Sequence, residues 1–106
     1  MAAAVVSAQE RRKLLAANSP RLAEVGLAFL ELGRWGEALE CLAAAQDTSG
    51  LEQLRDLALA AGDYFYTTAA ARALGQELSD QQMAQIAQTA RQGGKDTFAA
   101  AAEAND

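Results

Sequence analysis

Residues 25–45 read VGLAFLELGRWGEALECLAAA, and the order of small and large side chains in this stretch decides the fold. Gly26, Ala28, Phe29, Gly33, Trp35, Ala38, Leu42 and Ala45 fall at the spacing that lets two short helices clasp each other. Small residues stand where two backbones must approach closely, and rings stand beside them to fill the gap. Gly33 follows the last periodic residue of the first helix, where a left-handed C-cap is wanted. The stretch predicts a helical hairpin.

Working outward, Ser19-Pro20 spells the start of that hairpin, with serine as N-cap and the only proline at the first helical position. Leu22, Val25, Phe29 and Leu32 then form one apolar stripe, and Leu27 and Leu30 a second on another face. Before Ser19 lies a separate leading helix, opened by a Ser7/Glu10 capping box, edged by Leu14 and Leu15, and closed by Asn18. Downstream of the second helix, whose face is Trp35, Ala38, Leu39, Leu42 and Ala45, Asp47-Thr48-Ser49-Gly50 is expected to break the chain.

Leu51, Leu54, Leu57, Ala58 and Ala61 begin the next helix. Gly62-Asp63-Tyr64 repeats the glycine, polar residue, ring order of Gly33-Arg34-Trp35. Gly75 ends the following helix, and Ser79 or Asp80 starts another along Met83, Ile86, Ala87 and Ala90. Gly93-Gly94 stops it, and Asp96, Phe98, Ala101 and Ala102 suggest a last helix. The turn glycines at 33, 62 and 93 are 29 and 31 residues apart, so the expectation is three tandem hairpins behind one leading helix, seven helices in all.

The first hairpin, over about residues 19–50, resembles one unit of the tetratricopeptide repeat family, a helix–turn–helix of about 34 residues. Gly26 and Phe29 match the first-helix glycine and aromatic, Gly33 the turn, and Trp35 the ring after it. Ala38, Leu42 and Ala45 match the packing positions of the second helix. Val25 replaces the usual leucine, and Gly50 stands where the family usually closes its repeat with proline. The resemblance implies an all-α fold, a short right-handed solenoid of about three antiparallel hairpins in one domain over residues 1–106. Its parts would be a leading helix at 7–18 and hairpins at 19–47, 50–75 and 79–105, the last a capping unit.

Composition excludes most chemistry. The 106-residue chain is about one quarter alanine, the strongest helix former, and has no histidine. The commonest general base and metal ligand is therefore missing, along with any Ser-His or Cys-His pair. Glu37 and Glu40 share a helix face but read as solvated, and two carboxylates are too few for a hard cation. The lone Cys41 reads as a packed thiol with nothing to activate it. Gly93-Gly94-Lys95-Asp96-Thr97 lacks the pattern of a phosphate loop. A net charge of −5 opposes nucleic-acid binding, and Arg11-Arg12-Lys13 reads as a solvated helix face. Tyr64-Phe65-Tyr66 reads as core rings at a hairpin turn. No apolar run is long enough to span a membrane, and MAAAVVSAQ lacks the positive residues of a signal peptide. A cytoplasmic, non-catalytic protein without metal or cofactor is the expectation.

In the repeat family, the first helix of each hairpin lines a groove where partner peptides lie. The resemblance carries those positions onto Ala23, Leu27, Leu30 and Glu31 in the first unit and Glu52, Asp56 and Leu59 in the second. Met83, Ala87 and Arg91 follow in the weaker third unit. Ala23 and Leu27 stand where some members place the lysine and asparagine that grip a terminal carboxylate, so that clamp is absent. The implied groove is apolar, rimmed by Glu31, Glu52 and Asp56, and suits an amphipathic or basic helix. Two alternatives stay open: Leu27, Leu30 and Leu59 pack against the leading helix, or a second copy of the chain covers them. In the latter case the protein is a structural homo-oligomer, for which the alanine-rich FAAAAEA is the argument.

Overall fold

The computed structural model describes residues 6–92, which contain six α-helices and no strand. They are α1 (Ala8–Ala16), α2 (Leu22–Glu31), α3 (Trp35–Ala45), α4 (Thr48–Ala60), α5 (Tyr64–Ala73) and α6 (Asp80–Gln92). The all-α expectation holds. The Gly93-Gly94 stop and the seventh helix lie outside the described residues.

One device ends the first five helices. Asn18, Gly33, Gln46, Gly62 and Gly75 all have positive φ, between 48° and 74°. At each, the next amide reaches back into the last turn: Ser19 to the Leu14 carbonyl, Arg34 to Phe29, Asp47 to Leu42, Asp63 to Ala58 and Gln76 to Ala71. These are Schellman closures, which satisfy carbonyls a helix end leaves bare. At three of the five ends, after Gly33, Gln46 and Gly62, the residue following the left-handed one opens the next helix. Ser7, Asp47, Asp63 and Ser79 accept amide hydrogens from residues three further on, and Ser79 and Gln82 bond reciprocally as a capping box.

Two boundaries differ from the sequence reading. α2 begins at Leu22 because the turn after Ser19 is tight: the Leu22 amide donates to the Ser19 carbonyl and the Arg21 amide to Ser19 Oγ. The break after α3 is confined to Gln46-Asp47, and Thr48, Ser49 and Gly50 form the first turn of α4. The Asp47 carboxylate holds the Gly50 amide at 3.2 Å, so a stretch read as a loop starts a helix instead.

The chain divides after Leu51 into two compact units. In the first, α2 and α3 pack along their length, burying Leu22, Val25 and Phe29 against Ala38, Cys41 and Leu42. Each large side chain so buried contributes about 1.5–3 kcal/mol. Gly26 is at the seam: a Cβ there would stand 2.7 Å from Leu42 Cγ. α1 touches α3 lightly and has no buried residue.

In the second unit, Ile86, Ala87 and Ala90 of α6 form a cluster against Leu59, Tyr64, Leu78 and Met83. The α4–α5 turn meets α6 at Gly62, where a Cβ would lie 2.8 Å from the Ala90 amide nitrogen. Thr67 is fully buried, with its hydroxyl donating to the Asp63 carbonyl at 2.6 Å.

Three side chains lie where the periodic reading did not put them. Leu32, taken as the end of the α2 stripe, is 56% exposed, since the chain reverses at Gly33 immediately after it. Leu57 is 48% exposed. Phe65, read as a core ring, is 60% exposed with its ring edge-on to Tyr66 at 4.9 Å. Successive helical positions point about 100° apart, so three consecutive rings cannot share one buried face.

Candidate functional site

The groove positions carried over from the repeat family fall into different environments. Leu30 is 6% exposed and belongs to the core of the first unit, so it cannot line an open groove. Its neighbours on α2 are more accessible: Ala23 and Leu27 are half-buried and Glu31 is exposed. Ala23 borders a shallow hollow of about 370 Å³ with Asn18, Ser19, Pro20 and Gln46.

In the second unit Glu52 is half-buried, and Asp56 is exposed beside Arg55 Nε at 3.1 Å. Leu59 and Met83 are half-buried because they pack on the Ile86 cluster. Ala87 is buried within that cluster and Arg91 is exposed. A cleft of about 290 Å³ runs beside it, lined by Tyr64, Thr68, Arg72, Gln76, Leu78 and Met83. Thr68 Oγ1 is buried at its wall without a hydrogen-bond partner.

The most structured polar arrangement surrounds Phe29. Its ring carries the Arg34 guanidinium at 4.8 Å and the Arg11 guanidinium at 6.0 Å. Arg34 grips Glu37 through Nε and Nη2, and Arg11 Nε lies 2.8 Å from Glu40 Oε1. The Arg34 hydrogen bond, helped by the backbone of Glu37 itself, holds the Glu37 carboxyl below its usual range. Arg11 is thus not part of a solvated face as its sequence neighbours suggest. Arg12 and Lys13 are exposed, while the Arg11 side chain is 19% exposed, because Phe29 and Glu40 draw it onto the protein.

Cys41 is fully buried, and desolvation, followed by the nearby Glu40 charge, pushes its thiol pKa up. That is the opposite of an activated nucleophile. Among the described residues no group of three or more metal-binding side chains converges, and no helix is long and apolar enough to cross a membrane.

The Arg11–Glu40 pair, 29 residues apart, leaves no local pattern to read. The exposure of Phe65 does have a signal, the consecutive rings at 64–66. No protein-family model, no curated protein and no solved structure matches the chain.

Proposed function

We propose that this chain is a non-catalytic protein-interaction module, a small adaptor, chaperone-like or regulatory subunit that holds a segment of another protein. In this reading its hairpins stack as a short solenoid of the tetratricopeptide type. The repeated two-residue links, a left-handed residue followed by a helix-opening one, support the repeat architecture. The observation that carries the functional reading is the exposure of Leu32, Leu57 and Phe65. Every other large apolar side chain among the described residues is buried or half-buried. These three add nothing to the core and supply the apolar anchors that interfaces use. The net charge of −5 favours a basic or amphipathic partner helix.

The test is affinity capture from a cell lysate, comparing wild-type bait with Leu57→Glu and Phe65→Glu baits. A protein retained by the first, lost by the variants, and reconstituted as a purified complex supports the adaptor reading. If the chain recovers only itself and its mass rises with concentration, the apolar residues serve a homo-oligomer, and the adaptor reading falls. The alanine-rich segment that argued for self-association lies outside the described residues.

A further inference from the structure

We propose that the surface where α1 lies on α3 is a docking site for an arginine-bearing helix of a partner protein, with α1 as its internal occupant. This rests on the interaction function proposed above and names the chemistry of the partner. The slot has a floor and a wall: the Phe29 ring below, and Glu40 beside it. Arg11 shows what fits, with its Nε 2.8 Å from Glu40 Oε1 and its guanidinium carbon 6.0 Å from the ring centroid. Arg34, over the same ring at 4.8 Å, is already committed to Glu37. Glu40 is therefore the carboxylate that an incoming guanidinium would meet. A planar guanidinium both stacks and pairs, whereas an ammonium supplies only the charge, so the slot selects arginine over lysine.

The occupant is built to leave. α1 has nine residues, fewer than an isolated helix needs to persist in water, and none of them is buried. Arg11, Leu14 and Leu15 are only half-buried, and its second charged tie, Glu10 to Arg21 at 3.7 Å, joins two half-exposed side chains that salt screens. A partner helix offering an arginine with leucines alongside would make the same contacts. Any additional contacts of its own would let it displace α1. Until then α1 lowers the apparent affinity of the slot by occupying it.

The experiment uses the full chain and follows amide hydrogen exchange in α1 together with binding of a fluorescein-labelled peptide, SAQERRKLLAA, the sequence of residues 7–17. In R11E the α1 amides are expected to lose protection by about tenfold or more while α2 and α3 keep theirs, and R11E/E40R restores it. The peptide is expected to bind R11E about tenfold more tightly than wild type, and a peptide with glutamate in place of Arg11 to bind neither. Unchanged α1 protection in R11E, or equal peptide affinity for the two proteins, overturns the proposal. So does an R11E protein of doubled mass that ignores the peptide, which assigns the slot to a second copy. Should R11E fail to fold, wild type in about 0.5 M sodium chloride decides: α1 protection must fall ahead of α2 and α3, and its retention overturns the proposal. Release of α1 without peptide binding defeats the docking site alone, since the interaction reading stands or falls on Leu57 and Phe65.

Discussion

Leu42 of α3 occupies the space that a side chain at position 26 of α2 would need. A Cβ on Gly26 would stand 2.7 Å from Leu42 Cγ and 2.8 Å from Cδ2, and one on Gly50 would stand 2.6 Å from the same Cδ2. One leucine thus packs against two glycines 24 residues apart in sequence, and against Gly26 it does so with its branch carbon as well as a methyl. The close approach of α2 and α3 is a consequence of that fit.

Gly26→Ala is expected to destabilise the chain by about 1–3 kcal/mol in denaturant unfolding, although alanine in a helix normally adds about 1 kcal/mol over glycine. Gly26→Ala/Leu42→Ala should recover part of the loss relative to Leu42→Ala alone. A neutral or stabilising single variant would show that the seam is looser than described.

The turn glycines separate strain from collision. Gly33 and Gly62 have nearly the same φ, +73° and +72°, but a Cβ at Gly33 meets nothing within 4 Å whereas one at Gly62 runs into the Ala90 backbone. Gly33→Ala should lower stability by about 1–2 kcal/mol through the left-handed conformation alone, and Gly62→Ala by clearly more. Gln46, at φ +54°, is the converse case, and Gln46→Gly should raise the melting temperature. Equal losses at 33 and 62 would deny the contact between the α4–α5 turn and α6.

Phe29 is fully buried and Trp35 half-buried, so the rings rank in that order. Phe29→Ala should cost about 3–5 kcal/mol and Trp35→Ala less, measured as midpoints at constant m. The reverse ranking would make Trp35 the anchor of the hairpin.

Acid sensitivity should be traceable to Glu37. Its carboxyl is held below the ordinary 4.5 in the folded state by Arg34, so the unfolded chain takes up the proton first. The stabilisation is present above pH 4.5 and is lost as pH falls through the lower folded value. Glu37→Gln is expected to flatten this part of the stability profile while leaving its alkaline side unchanged. An identical acid limb in the variant would remove the Arg34 pair from any role in stability.

What the sequence disclosed depended on how local the cause was. Asn18, Gly33, Gly62 and Gly75 announced helix ends because few residues accept a left-handed backbone, and Ser7 and Ser79 announced starts because their oxygens reach amides three residues on. Gln46 gave no such notice: its positive φ is imposed by the Asp47–Leu42 closure and not by its own preference. Leu30 lies in the last turn of α2 and Leu32 caps that helix, two identical side chains two positions apart. Only the turn at Gly33 and the packing of α2 on α3 put one in the core and the other in water. The Arg11–Glu40 pair beside Phe29 was hidden for the same reason, since tertiary packing brings those two residues together, whereas Arg34 and Glu37 are local partners three residues apart.

The links between helices also decide where the gene can be lengthened. At 33–34, 46–47 and 62–63 the two residues close one helix and open the next, leaving no spare backbone. An insertion there removes both ends at once. Between Gly75 and Asp80 the chain has four non-helical residues, with Gln76 tied to Arg55 and Ser79 to Gln82, but Glu77 exposed between them. A peptide tag or reporter domain placed after Gln76 leaves both caps in being, making this junction the natural port for labels and fusions.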